Sequence, residues 1–268
     1  MNRLPLSRTG KQAIDVAAAA AVEAGAILMD HFREETRVRF KSRANIVTDV
    51  DLRADRRLKS VISAEFPDHS FISEETEPLQ GDSSYTWILD PLDGTNNYSF
   101  GIPFFCTVIA LTRGEEVLAG VVYDPLRDEL FAAERDRGTM LNGVPVSVSK
   151  KTSVQDSLAG FDLGYVEEQG GKLLGFIHRL WPGFYACRIM GSAALGMAYV
   201  ACGRIDLYVH AVLYPWELAC GRVLVEEAGG KATDWSGRPV GTRNSSIIVS
   251  NSSVHAEFMQ TLQRLMSA

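Results

Sequence analysis

Small and apolar residues recur at helical spacing from Ala13 to Met29, with Val22, Ile27 and Leu28 set among alanines. The acids Asp15, Glu23 and Asp30 interrupt the run, so it is too polar to span a bilayer and predicts an amphipathic helix that a neighbour can approach closely. His31 at its end is placed against the negative pole of the helix dipole. Thr36 to Phe40 alternates like a strand, and Lys41 to Asp51 reads as a loop into a second helix from Asp51 to Phe66, closed by Pro67. Leu52, Leu58, Val61 and Ile62 give that helix a partial apolar face. Short apolar runs at Ser70 to Ser73 and Trp87 to Leu89 predict strands. Phe104 to Thr112, Glu116 to Asp124 and Glu129 to Glu134 predict a meander, with Gly114, Gly120 and Pro125 as turn signals, and Val144 to Val148 adds a strand.

Beyond residue 150 the pattern weakens until Gly191. A helix is predicted from Ser192 to Cys202 and a strand from Ile205 to Val209. Pro215 to Ala228 predicts another helix, with proline in its first turn and Gly229-Gly230 past its end. Lys231 to Asp234 and Ile247 to Ser250 resemble strands, and a closing helix starts at Ser253. The fold class is mixed α and β. The change from meander to mixed elements divides the chain into halves, 1–150 and 151–268, which share a core without a linker, with the site expected in the cleft between them.

The 268 residues suffice for one large domain or two smaller ones, and a hydrophobic content of 46% is ordinary for a globular protein. A net charge of −6 without a long basic run gives no grip on nucleic acid phosphates. The expected partner is therefore a small molecule, with neither nucleic acid nor membrane. Cys106, Cys187, Cys202 and Cys220 are widely spaced, form no C-x-x-C pair and sit among apolar or small residues. They read as free structural thiols in a reducing cytoplasm, with Cys187 or Cys202 as a reactive thiol the alternative.

The chemistry concentrates between Trp87 and Tyr98, where an apolar run stops at Asp90 and is followed by Asp93, Gly94 and Thr95. Glu74 follows the preceding strand, so if the two strands are neighbours, Glu74, Asp90 and Asp93 face one sheet end. Such a cup of carboxylates suits Mg²⁺: one cation places water as a nucleophile and a second stabilises the leaving oxygen. Gly94 and Thr95, opening a helix, would aim backbone N–H groups at an anion beside the cations. Each residue alone has a plainer reading, a solvated loop acid for Asp90 or Asp93, and a turn with a helix cap for Gly94 and Thr95. A carboxylate directly after Ile88 and Leu89 is costly to bury unpaired, which favours a cation or strong donors nearby.

Asp90-Pro-Leu-Asp-Gly-Thr95 is preceded by Glu74-Glu75 and followed by Pro215-Trp-Glu-Leu-Ala and Glu227-Ala-Gly-Gly230. On these blocks, with Ala44-Asn-Ile-Val-Thr48 and Gly191-Ser-Ala-Ala194, the chain resembles the inositol monophosphatase family over nearly its whole length. The resemblance implies a layered α-β-α-β-α sandwich of the sugar phosphatase type, Mg²⁺ as cofactor in two or three ions, inhibition by Li⁺ and a homodimer. It implies hydrolysis of a phosphomonoester by direct attack of metal-activated water. By the same resemblance Glu74, Asp90 and the carbonyl of Leu92 hold a first metal, and Asp90, Asp93 and Glu217 a second. Asp51 and Thr95 orient the water, Glu74 joins them at the catalytic centre, and the backbone of Gly94 and Thr95 cradles the phosphate. Asp93, Gly191, Ser192, Ala193, His210 and Glu217 contact the substrate.

Two positions depart from the family pattern. Glu217 stands where an aspartate is usual, and His210 stands where members acting on inositol commonly carry a glutamate. His210 either faces the substrate or is a satisfied histidine lining the cleft. Inositol 1-phosphate is the default substrate by resemblance; histidinol phosphate, fructose 1,6-bisphosphate and a non-catalytic regulatory role are the alternatives. Haloacid dehalogenase-like phosphatases place one residue between their two aspartates, whereas Asp90 and Asp93 have two, and this chain lacks their late acidic pair.

Overall fold

A computed structural model describes residues 4–34, 37–43, 45–243 and 245–266. Thr36, where a strand was expected to begin, and Ala44 of the Ala44 to Thr48 block lie outside the described residues. Helices α1 (Ala13–His31) and α2 (Asp49–Glu65) flank a hairpin of β1 (Val38–Ser42) and β2 (Asn45–Thr48). Next come β3 (Ser70–Ser73), β4 (Tyr85–Asp93), the short α3 (Thr95–Ser99), β5 (Cys106–Arg113) and β6 (Glu116–Asp124). They are followed by β7 (Glu129–Glu134), β8 (Gly138–Leu141) and β9 (Val144–Val146). The second half contributes β10 (Leu158–Asp162), α4 (Glu167–Leu180), β11 (Ala186–Ile189), α5 (Ala193–Ala201) and β12 (Leu207–Leu213). The chain closes with α6 (Pro215–Glu227), β13 (Gly230–Thr233), β14 (Ser245–Asn251) and α7 (Ser252–Met266).

A seven-stranded sheet runs in the order β3-β4-β5-β6-β7-β8-β9, and a five-stranded sheet in the order β11-β10-β12-β14-β13. Helices α1 and α2 pack on one face of the larger sheet, α5 and α6 fill the space between the sheets, and α4 and α7 lie against the far face of the smaller one. This is the expected α-β-α-β-α layering. The alanines of α1 serve close approach: Ala20, Ala21 and Ala24 are fully buried. A Cβ on Gly25 would stand 2.6 Å from the Tyr123 ring, so only glycine lets the helix seat on β6 there. At its C-terminus His31 Nδ1 lies 3.0 Å from the Ile27 carbonyl. One apolar cluster includes Ile88 and Val108 of the first sheet with Leu218 and Val223 of α6 and Val249 of β14, so the layer between the sheets serves both halves.

Several elements differ from the sequence expectation. The stretch expected as a loop before α2 contains β2, which pairs antiparallel with β1, and its alternation buries Ile46 and Thr48. Helix α4 escaped the pattern because Gly170, Gly171 and Gly175 lie within it, each roughly 1 kcal/mol less favourable than alanine, although Leu173, Phe176 and Leu180 form its buried stripe. Strands β8, β10 and β11 are too short to carry a period. His210 lies within β12, which runs past the expected end at Val209.

Candidate active site

Strand β4 continues through Asp93 rather than stopping at Asp90. Asp90 opposes Val108 and Asp93 opposes Cys106, so three steps along β4 match two along β5. Residues three apart on a regular strand point to opposite faces, and the extra residue of this bulge returns both aspartates to one face. It is the face of Cys106 and Val108, which packs toward α5 and α6. Glu74 arrives from β3, which runs parallel beside β4, and its N–H donates to the Leu89 carbonyl at 3.1 Å. Ser73 Oγ donates to buried Asp55 of α2 at 2.5 Å, which ties this corner down.

Asp90 is 1% exposed, and Oδ1 accepts the Leu92 N–H at 3.0 Å. Burial, then the negative charges of Glu74, Asp93 and Glu217, push its carboxyl well above the ordinary carboxylate range. Asp93 is raised as well, chiefly by burial, although it is better supplied with donors. Its Oδ2 accepts Ser192 Oγ at 2.5 Å and the Ala194 N–H at 2.8 Å, and Oδ1 accepts the Ala193 N–H at 3.3 Å. Ser192 caps α5 in position only, since its hydroxyl is given to Asp93. Glu217 sits in the first turn of α6, where Oε2 accepts the Tyr214 N–H at 3.0 Å; burial and the charges of Glu74 and Asp93 raise it strongly. Lys41 of β1 lies 2.8 Å from both Glu74 and Glu75. Burial alone would lower its ammonium, but Glu74 leads the charges that hold it above its usual value, and Glu75 is pushed up to about 7 by burial.

Asp51 is fully buried in the first turn of α2 as part of a capping box: its Oδ2 accepts the Thr48 N–H at 2.9 Å and the Thr48 hydroxyl, which in turn caps the helix. Burial raises Asp51 to about 6 against the pull of those donors. Thr95 Oγ1 stands 3.0 Å from the Leu92 carbonyl and 3.3 Å from Asp51 Oδ1, able to donate to either. Gly94 turns the chain from β4 into α3 at φ 90°, and a Cβ there would meet the Gly191 and Phe104 carbonyls at 3.1 Å. Only glycine fits both the dihedral and the space.

A cavity of about 210 Å³ opens beside these groups, lined among others by Asp93, Gly94, Asp162, Tyr165, His210 and Glu217. Gly191, Ser192 and Ala193 also border it, so every expected substrate-side residue is gathered here. Sequence reasoning missed Asp162, whose Oδ1 accepts the N–H groups of Met190 at 3.0 Å and Gly191 at 2.7 Å, and whose Oδ2 accepts the Tyr208 hydroxyl at 2.8 Å. Burial pushes it up to about 7. Its signal was its place at the carboxyl end of a parallel strand, where open α/β sheets bind ligands, but the strand itself was not legible. Asn97 was missed too; its amide donates to the carbonyls of Phe104 at 2.8 Å and Met190 at 3.1 Å and so joins the α3 corner to the turn before α5. Lys41 gave no sequence signal.

Whether this set suits a divalent cation is decided by its donors. Four carboxylates and a backbone carbonyl are hard oxygen ligands, and burial with mutual repulsion makes the charges of Asp90, Asp93 and Glu217 costly, which a hard cation relieves. Among the described residues no three His, Cys, Asp or Glu side chains already form an ion-binding group, and Glu74 and Glu75 direct their charge to Lys41. The chemistry of the donors fits Mg²⁺.

Residues 11–267 match the model of the inositol monophosphatase family. Inositol monophosphatase 1 of Solanum lycopersicum is 35% identical over 272 residues, covering 96% of this chain and 98% of that protein. Fructose-1,6-bisphosphatase/inositol-1-monophosphatase of Thermotoga maritima is 36% identical over 242 residues, covering 90% and 92%. The solved structure of extragenic suppressor protein suhB from Bartonella henselae superposes with a TM-score of 0.88 at 33% identity, covering 92% of this chain and 97% of that one. The chain belongs to the inositol monophosphatase family. No helix of the described residues is long and apolar enough to cross a membrane.

Proposed function

We propose that this chain is a Mg²⁺-dependent phosphomonoesterase that hydrolyses a small polyol or sugar phosphate by direct attack of water. One observation carries the reading: Asp90 is buried within the field of Glu74, Asp93 and Glu217, close to the pair formed by Thr95 and Asp51. Mg²⁺ held by Glu74, Asp90, the Leu92 carbonyl, Asp93 and Glu217 would supply the charge that receives an ester dianion and makes water acidic enough to react near neutral pH. The remaining work falls to the chain's own groups. Thr95 Oγ1 takes a proton from water as it gives its own to Asp51 Oδ1, 3.3 Å away. Burial has raised that carboxyl to about 6, toward the range where a general base is effective. The side-chain-free turn at Gly94 lets backbone N–H groups approach the phosphate, and Asp93, fixed by three donors from Ser192 to Ala194, borders the leaving alcohol.

Phosphate release from inositol 1-phosphate, histidinol phosphate and fructose 1,6-bisphosphate tests the reading, with Mg²⁺, with chelator and with added Li⁺. The bisphosphate belongs in the panel because the Thermotoga maritima relative is named for both activities. Activity that needs Mg²⁺, falls with Li⁺ and disappears in Asp90→Asn is expected. A trapped phosphoryl-Asp90 adduct would refute water as the nucleophile. Release from no ester at all would favour a non-catalytic member of the family.

A further inference from the structure

His210 is 6% exposed, and two edges of its ring are occupied. Nδ1 accepts the Val212 N–H at 3.2 Å, and a Cβ on Gly164 would stand 3.1 Å from Cε1, so the loop before α4 lies against that edge. A backbone N–H only donates, so Nδ1 carries no hydrogen and the neutral ring carries it on Nε2. Nε2 has no hydrogen-bond partner among the described residues, and it is not sealed from the cavity that His210 lines. A donor buried to this degree gains most from a ligand that accepts. Tyr165 on the same cavity has its oxygen engaged by Asn96 Nδ2 at 3.2 Å, which leaves its own hydrogen to give. The Asp162 carboxylate on this wall is already filled by the Met190 and Gly191 N–H groups and the Tyr208 hydroxyl. Among the described lining residues there is no Lys or Arg, whereas Asp93, Asp162 and Glu217 are present.

We propose that His210 determines specificity by donating Nε2–H to the alcohol part of the substrate, and that the chain acts on monoesters whose alcohol presents a neutral acceptor. The proposal rests on the phosphomonoesterase reading above. A glutamate at this position would offer the reverse, a charged acceptor for hydroxyl groups. The histidine supplies a donor instead.

The test compares benzyl phosphate with the three pyridylmethyl phosphates, which match it in shape and add one ring nitrogen as a neutral acceptor. Phosphate release is measured with Mg²⁺ in the wild type and in His210→Ala, His210→Glu and His210→Gln. In the wild type the best pyridylmethyl ester should exceed benzyl phosphate by roughly three- to tenfold in kcat/KM, the value of one neutral hydrogen bond. Taken within each variant, this ratio cancels any general loss of activity. It should fall to about one in His210→Ala and His210→Glu and be partly restored in His210→Gln, whose amide still donates. A ratio near one in the wild type, or one unmoved by His210→Ala, overturns the proposal and leaves the phosphatase reading standing. Release from none of these esters while inositol 1-phosphate or histidinol phosphate is hydrolysed overturns this proposal alone; release from no ester of either panel overturns both readings.

Discussion

Replacing Asp162 with alanine should destabilise the fold by about 3–6 kcal/mol, whereas Asp162→Asn should cost only about 1 kcal/mol. The carboxylate is 6% exposed and gathers three donors, the N–H groups of Met190 and Gly191 on one oxygen and the Tyr208 hydroxyl on the other. Alanine leaves all three without a partner in a buried place, at roughly 1–2 kcal/mol each. Asparagine keeps a carbonyl oxygen for the two N–H groups, and its amide meets the Tyr208 hydroxyl, which can rotate to accept. Tyr208→Phe removes one donor and should fall between the two, at about 1–2 kcal/mol. The effect should also reach the site, because the turn that Asp162 holds leads directly into Ser192, the donor to Asp93. Urea unfolding followed by tryptophan fluorescence gives the stabilities, and phosphate release below the unfolding transition gives kcat/KM. Equal stability of the alanine and asparagine variants would refute the reasoning, since it would mean that water satisfies the three donors.

Ser192→Ala removes the 2.5 Å hydroxyl contact to Asp93 and should lower kcat/KM by roughly tenfold while the melting temperature moves little; an unchanged rate would show that the two N–H donors suffice. Glu217→Asp shortens the acid held by the Tyr214 N–H and should lower the Mg²⁺ concentration needed for half-maximal activity, which a Mg²⁺ titration reads directly. His255 is buried neutral between Thr233 and Ser250 and depressed by burial to about 4, below its unfolded value near 6.5. The unfolded chain therefore takes up the proton first, so His255's contribution to stability is complete above about pH 6.5 and is lost as pH falls toward 4, on the order of 3 kcal/mol. Unfolding free energies at pH 7.5 and 5 should differ less in His255→Gln than in the wild type, and an equal difference would discount this residue.

The acids of the candidate site were legible in the sequence because they lie in short blocks next to strong apolar runs: Ile88-Leu89 before Asp90, and Phe71-Ile72 shortly before Glu74. What could not be read is how Asp90 and Asp93 share a face, since alternation sets residues three apart on opposite faces and the bulge that corrects this is a property of the pairing with β5. The long elements α1, α2, β5 and β6 fell close to where the sequence placed them, although β5 and β6 are buried on both faces and were marked by apolar runs and turn residues rather than by alternation. The wall formed by β10, α4 and β11 stayed hidden, with glycines inside its helix and strands of five and four residues, and it took Asp162 and Tyr165 with it. His210 was identified as a departure from the family pattern, but the free nitrogen that gives it a role is set by Val212 and Gly164, which nothing in the local sequence announces.

Asp93 receives its hydroxyl donor and its two N–H donors from residues 99 to 101 positions further along the chain. Contacts of such separation close late, after local helices and hairpins have formed. In refolding, the return of catalysis should therefore trail the return of secondary structure, and enzymatic assay becomes a clock for the final docking step. A chain still on the ribosome, with only its first 150 residues emerged, carries every acid of the Asp90 segment and the Cys106 thiol 3.7 Å from Asp93, but not the Ser192 hydroxyl or the N–H groups of Ala193 and Ala194.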